Sequence, residues 1–265
     1  MSQGTVKDAW ALVLGGSSGL GLACSKQLIS DGYRVFVIFR ESREGARQAE
    51  DRLCSLGPNV RSLNADAVSE RGIVRCIEAL DSALSGDKVA VLVHSIACGS
   101  TRSLRATQHS AGDRAALTPA DLAETVSAMG LSLYSWVYEL QRRQWFAEDT
   151  RIIALTSEGA RRTFAGYGAV SAAKATLEAV VRSIAVELGS AGIKANAVQA
   201  GVTDTRALRQ LPNSERLLAN ALSRNPLGRL TLAEDIGNVV SLLCRPESAF
   251  INGAVIPVDG GERLC

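Results

Sequence analysis

The chain has 265 residues, 46% of them hydrophobic and 21% charged, and a formal net charge of +2. That length suits one α/β domain with a large buried core, and the near-neutral balance argues against nucleic acid as an obligate partner. Lysine supplies only five of the 29 basic residues, so the positive surface is mostly arginine. The six cysteines stand at 24, 54, 76, 98, 244 and 265 with no CxxC pair, and His94 and His109 are the only imidazoles. This pattern argues against a metal site and fits small buried thiols in a reducing compartment. No apolar run reaches membrane-spanning length, and residues 9–14 are too short for a secretory signal, so a cytoplasmic protein without membrane contact is expected.

Trp10–Leu14 (WALVL) is apolar without alternation, as a strand buried on both faces requires. It leads into Gly15, Gly16, Ser17, Ser18, Gly19, Leu20 and Gly21, then into a helical pattern carrying Leu22, Ala23, Leu28 and Ile29. Strand, glycine turn and helix in succession is the setting of a dinucleotide-phosphate site. The glycines let the backbone approach closely, and the helix N-terminus presents unpaired N–H groups. A plain turn is the competing reading, weakened by the position between strand and helix. Past Asp31-Gly32, Arg34–Phe39 (RVFVIF) is a second buried strand, followed by Arg40, Glu41 and Arg43. A carboxylate here suits a free ribose 2′-hydroxyl, and an arginine suits a 2′-phosphate. Two arginines against one glutamate favour NADPH, with NADH as the alternative.

A helix is expected over 45–56 and a third strand over 60–65, with Asp66 and Ala67 directly after it. Asp66 either reaches the adenine of a bound cofactor or serves as a loop or N-cap residue. Another helix is expected over 72–84 and a fourth strand over 89–93. That strand delivers His94, Ser95, Ile96 and Ala97 to the carboxyl edge, where open α/β sheets bind ligands; His94 itself reads as structural. Residues 99–117 are polar, carry Arg102, Arg105 and Arg114, and read as an inserted loop over the site. Thr118 and Pro119 then start a helix expected to run through Trp136 and Trp145, with a break near Gly130.

A short strand over 152–155 and a polar loop holding Ser157 precede a long Ala-rich helix. Tyr167 stands at its start and Lys174 seven residues later. Seven residues turn about 700°, which puts the two on one face roughly 10 Å apart along the axis. A phenol and an ammonium so placed can form a proton-transfer pair; a packed Tyr and a snorkelling Lys are the plainer reading. A sixth strand over 193–198 leads into Gln199, Ala200, Gly201, Val202, Thr203, Asp204 and Thr205 at another carboxyl edge. Residues 206–230 read as a helical flap interrupted by Pro212 and Pro226, before a helix over 232–243 and a seventh strand over 254–258. No linker, charge run or repeat divides the chain. A single domain with a Rossmann-type, doubly wound parallel sheet is expected.

The glycine turn, His94-Ser95-Ile96-Ala97, the Tyr/Lys pair and Pro257-Val258-Asp259-Gly260-Gly261 together resemble the short-chain dehydrogenase/reductase superfamily over nearly the whole chain. Carbonyl and alcohol enzymes of that superfamily usually place Lys four residues after Tyr, where this chain has Ser171. The spacing Tyr167-x6-Lys174 instead resembles the enoyl-acyl-carrier-protein reductase branch. So do Leu131-Ser132-Leu133-Tyr134-Ser135-Trp136, Lys174-Ala175-Thr176-Leu177-Glu178-Ala179 and Glu234-Asp235-Ile236-Gly237-Asn238. The GxxxGxG loop, and the run Ala200 to Leu208 followed by Leu211-Pro212-Asn213, resemble an NADPH-linked variant of that branch. Many members carry a second Tyr ten residues before the first; here, as in that variant, the position is Ser157.

The resemblance implies hydride transfer from NADPH to the β-carbon of a trans-2-enoyl thioester on acyl carrier protein or coenzyme A. It gives Tyr167 the enolate oxygen, Lys174 the nicotinamide ribose hydroxyls, and Ser157 the acyl pocket or a water. It brings the Ile96 and Ala97 backbone to the ribose, that of Thr203 to the carboxamide, and Thr205 to the phosphates. It also implies a homotetramer built on the apolar helices. Six arginines expected around the mouth (102, 105, 161, 162, 206 and 209) would speed encounter with an acidic carrier. The alternatives are a 3-oxoacyl or carbonyl reductase on the same fold and a catalytically idle NADP(H)-binding regulator.

Overall fold

The computed structural model describes residues 9–106, 116–162, 164–211 and 214–265. Seven parallel strands form one sheet in the order β3-β2-β1-β4-β5-β6-β7. They are β1 (Trp10–Leu14), β2 (Arg34–Phe39), β3 (Val60–Asn64), β4 (Val89–His94), β5 (Phe146–Ser157), β6 (Ile193–Ala200) and β7 (Val255–Val258). The strand order reverses between β1 and β4, so a crevice opens beyond their carboxyl ends. Alternate residues of β1 feed opposite faces of the sheet. Leu12 and Leu14 join the core under α3 (Glu70–Leu84), α5 (Ser132–Arg142) and α6 (Gly168–Glu187). Ala11 and Val13 join the core under α1 (Gly19–Ser30), α2 (Arg43–Cys54) and α9 (Ala233–Leu243). This is the doubly wound Rossmann-type architecture expected. Among the described residues no helix is long and apolar enough to cross a membrane.

Helix starts follow local chemistry. Ser42, Ser69 and Thr118 each accept a backbone N–H three residues on, and Thr118 closes a capping box with Asp121 ahead of α4 (Pro119–Val126). The interruption near Gly130 is a π-helical turn, Ser127–Leu131, between α4 and α5. There a Cβ on Gly130 would lie 2.9 Å from the Ala173 carbonyl, so the bare glycine lets this turn press against α6.

Two expectations on extent need correction. The helix past Trp136 ends at Arg142 and does not reach Trp145, and β5 begins at Phe146, six residues before the strand expected over 152–155. Gln144 turns left-handed (φ 55°), donating to Gln141 O, while Trp145 donates to Leu140 O. This is a Schellman stop made without glycine, so the sequence carries no punctuation there. The flap expected over 206–230 is two helices, α7 (Arg206–Arg209) and α8 (Ser214–Arg224), and Pro212 between them lies outside the described residues. Of the cysteines, Cys24 and Cys76 are buried thiols, but Cys54 and Cys265 are exposed and all six are unpaired.

One buried contact ties α5 to the crevice. Trp136 is fully buried and its indole Nε1 donates to Ala67 O at 2.8 Å, just past β3. Trp136→Phe keeps an aromatic side chain but removes that donor and part of the buried ring, so it should cost at least about 1–3 kcal/mol in urea unfolding with an unchanged m-value. A loss under about 0.5 kcal/mol, the range of ordinary surface changes, would show the Ala67 carbonyl finds another partner.

Candidate active site

A cleft of about 740 Å³ runs along the carboxyl ends of six adjacent strands. Each strand delivers its next residues to it: Gly15 after β1, Arg40 after β2, Asp66 after β3, Ser95 after β4, and Gly201 after β6, with Ser157 ending β5. Gly15, Ser17, Ser18, Gly19, Leu20, Arg40, Asp66, Ala67, Ser95, Ile96, Ala97, Ser157, Tyr167, Lys174, Gly201, Thr203 and Thr205 all line it. Gly21 does not. It lies behind the loop, where a Cβ would sit 2.2 Å from Gly15 O, so its contribution is close packing.

The glycine turn fits a dinucleotide pyrophosphate. Gly15 has φ +82°, and a Cβ there would meet Ser95 O at 2.4 Å, so only glycine lets β1 turn this tightly against the end of β4. Ser18, the N-cap of α1, makes no side-chain cap bond and no acid stands in the first turn, which leaves the helix N–H groups facing the cleft. Arg52 holds the loop from behind through Ser17 O at 2.9 Å, and Thr205 packs in front of Gly19. Asp66 takes the loop role, its Oδ1 accepting Val68 N–H at 3.0 Å, and the residue also lines the cleft, 3.8 Å from Arg40. Of the two arginines expected at a 2′-phosphate, only Arg40 lines the cleft; Arg43 is the exposed first residue of α2 and does not.

Tyr167 is the N-cap residue of α6 and Lys174 lies two turns in. The phenol OH is 3.4 Å from Ser157 Oγ, which itself accepts Gly159 N–H at 3.2 Å. Its ring stacks on Phe164 at 4.2 Å and lies over Gly159, where a Cβ would come within 2.2 Å of Cε1. Burial raises the phenol's pKa, against a smaller lowering by Ser157, so it is a protonated donor near neutral pH. Lys174 is buried, with Nζ donating to Leu155 O at 2.7 Å. Burial pushes its pKa down to about 8, opposed by the Glu178 carboxylate one turn along. His94 is a buried imidazole with Nε2 2.8 Å from Ser132 Oγ, and burial drops its pKa to about 3, so it is neutral and holds α5 against β4.

A phosphate-accepting helix start, a phenol and an ammonium thus share one crevice at the switch point of the sheet. The family model described as Enoyl-(Acyl carrier protein) reductase matches residues 15–262. The chain belongs to that family of the short-chain dehydrogenase/reductase superfamily. It is 32% identical over 254 residues to the 3-oxoacyl-(acyl-carrier-protein) reductase of Pseudomonas aeruginosa, covering 96% of this chain and 97% of that one. It is 35% identical over 138 residues to the enoyl-(acyl-carrier-protein) reductase (NADH) of Escherichia coli strain K12, covering 52% of this chain and 53% of the other. The crystal structure of the Aquifex aeolicus enoyl-(acyl-carrier-protein) reductase (NADH) superposes with a TM-score of 0.86 over 99% of both chains at 20% identity, which shows the fold. This short-chain dehydrogenase/reductase is accordingly an oxidoreductase of a nicotinamide-dependent superfamily.

Several features in and behind the cleft wall escaped the sequence. Glu178 is a buried acid accepting from Thr156 Oγ1 at 3.0 Å, and its four-residue spacing from Lys174 was a readable signal. Glu262 is a buried acid whose Oε2 accepts Val202 N–H at 3.1 Å; only tertiary folding brings the last turn there. The apolar wall includes Met129, Val170, Leu208 and Leu211, drawn from three separate segments. Five of the six arginines expected at the mouth are already paired: Arg102 with Asp121, Arg161 with Glu178, Arg162 with Glu158, Arg206 with Glu41 and Arg209 with Asp204. Of the loop expected over 99–117, residues 107–115 lie outside the described residues, His109 and Arg114 among them.

Two outcomes follow from this geometry. Gly159→Ala should push the Tyr167 ring aside and lower kcat about tenfold to a hundredfold with cofactor binding nearly intact. An unchanged kcat in a folded variant would show the ring has room to move. The Lys174 charge is present below about pH 8 and lost above it. In the free enzyme kcat/KM should therefore fall as pH rises through about 8, a profile flat to about pH 10 being the contrary result.

Proposed function

We propose that this protein reduces the 2,3 double bond of an enoyl thioester with NADPH, in fatty acid or related acyl-chain synthesis. The observation that carries this is the seven-residue interval on α6, which sets the phenol at the cap of the helix and the ammonium at the end of β5, both lining the cleft. The bound dinucleotide supplies the hydride. The first turn of α1 with Ser17 and Ser18 would hold its phosphates, Asp66 and Ala67 its adenine, Ile96, Ala97 and Lys174 its riboses, and Gly201 and Thr203 its carboxamide. Tyr167 donates its hydroxyl proton toward the thioester oxygen as negative charge builds there, the kind of fixed donor that dominates many active sites. Ser157 receives Gly159 N–H, which frees its own proton for the Tyr167 oxygen and makes the phenol a stronger donor. The Lys174 ammonium adds positive potential from a buried position. Met129, Val170, Leu208 and Leu211 offer the acyl chain an apolar wall.

The acyl group would arrive on acyl carrier protein or coenzyme A. The cytoplasm is the expected site of action, and a homotetramer the expected assembly. Leu131, Tyr134 and Tyr138, each about half exposed, supply the apolar face such an assembly needs. NADPH rests on Arg40 at the end of β2, and the two enoyl reductases compared above are named for NADH.

A second reading, reduction of a 3-oxoacyl thioester, is favoured by the relative that matches 96% of this chain. The two are separated by turnover of a 2-enoyl against a 3-oxo thioester, followed at the NADPH absorbance. Faster turnover of the enoyl substrate is expected, and Tyr167→Phe should lower it about 10²–10³-fold with NADPH binding retained. Faster turnover of the 3-oxo substrate would establish the second reading, and none of either would leave a binding protein.

A further inference from the structure

The flap's first residue reaches the ribose end of the cleft rather than the acyl mouth. Arg206 opens α7 directly after Thr205, and its Nη1 lies 3.1 and 3.3 Å from the two carboxylate oxygens of Glu41. Both residues line the cleft. Glu41 has a fixed backbone: Asn64 Oδ1 accepts its N–H at 3.0 Å, and Asn64 Nδ2 donates to its carbonyl at 3.1 Å. Its carboxylate lies over the first turn of α2, where a Cβ on Gly45 would come 3.0 Å from Oε2. The Glu41 side chain is 18% exposed and that of Arg206 67%, so the pair contributes little to stability and its interest is local charge.

Among the described residues the charged groups at this end are Arg40, Glu41, Asp66 and Arg206, and they fall into two ion pairs, Arg40–Asp66 and Arg206–Glu41. A carboxylate at the end of the second strand can accept a ribose 2′-hydroxyl, which selects against a 2′-phosphate. A 2′-phosphate brings close to two negative charges, which an unpaired Glu41 would repel. A guanidinium on Glu41 changes both outcomes, because it occupies the acceptor oxygens and cancels the charge.

We propose that Arg206 is a specificity-determining residue: by holding Glu41 it silences the one acid that would select a free ribose, and so admits a 2′-phosphorylated dinucleotide. This rests on the NADPH reading above. It makes the flap part of the nucleotide site, and leaves Arg40 as the cation that meets the phosphate.

The test is calorimetric titration of 2′-phospho-ADP-ribose and of ADP-ribose into the wild type, Arg206→Ala, Glu41→Gln and the double variant. Arg206→Gln serves as a second truncation should the alanine variant not melt cooperatively. Loss of Arg206 should weaken the 2′-phosphorylated nucleotide about tenfold and leave ADP-ribose as tight or tighter. Adding Glu41→Gln should recover most of that loss. Equal weakening of both nucleotides overturns the proposal. So does a loss that Glu41→Gln does not recover, which would mean Arg206 touches the phosphate itself. A wild type that prefers ADP-ribose overturns the NADPH reading separately, because the coupling between the two substitutions is measured whichever nucleotide binds better.

Discussion

A single buried ammonium constrains this site more than any other group. Lys174 gives up most of its hydration, and the drop of its pKa from 10.5 to about 8 corresponds to a cost of about 3 kcal/mol in the charged form. The direction matters for stability. Between about pH 8 and 10.5 the unfolded chain holds this proton more firmly than the folded one, so folding becomes more favourable as pH rises through that window and carries the full penalty below it. Near neutral pH the ammonium is tolerated because Leu155 O accepts one of its protons and Glu178 lies one turn away. Glu178 is itself fixed by Thr156 Oγ1 and by Arg161. The end of β5 and the first turns of α6 are therefore tied through one cation, and Tyr167 takes its place from the same two elements.

That arrangement depends on the length of β5. A strand of only four residues would not pair with β6 from Thr150↔Ile193 to Ser157↔Ala200, and the carbonyl of Leu155 would not be held in register at the sheet edge. The parallel order matters equally, because it sends every strand's carboxyl end to one side. Residues as distant as Gly15, Ser95 and Gly201 then meet without any local signal linking them. Glycine sets how tightly they meet. The bare Cα atoms at 15 and 21 allow the β1–α1 turn to touch the end of β4, and a glycine at 159 leaves room for the phenol.

The strands, the glycine turn and the phenol/ammonium pair were legible because each rests on local chemistry: continuous apolar runs, punctuation by glycine, and helix period. Serine and threonine caps were equally local, and the start of α2 at Arg43 follows from the Ser42 cap rather than from its apolar periodicity. The stop at Gln144 was not legible, since a non-glycine residue takes the left-handed position and only tertiary packing enforces it. Nor were the ion pairs. Arg206 stands 165 positions from Glu41, and neither residue's neighbours reveal that the flap folds back to β2. Arginine placed near a mouth by chain order alone said nothing about whether its charge was free.

Charge compensation within the chain gives the cleft its electrostatic character. Arg40, Arg206 and Lys174 each face a carboxylate of the same protein, Asp66, Glu41 and Glu178 respectively. An anion entering such a site does not simply add an attraction. It competes with a carboxylate already in place, and the favourable part is the difference between two similar contacts. Exposed pairs such as Arg206–Glu41 exchange at little cost, whereas the buried surroundings of Lys174 do not, because removing a partner from a buried charge is expensive. The nucleotide end of the cleft can therefore be retuned by single substitutions at its exposed pairs. The reacting end cannot, since Lys174, the strand carbonyl beneath it and the acid beside it form a single buried unit.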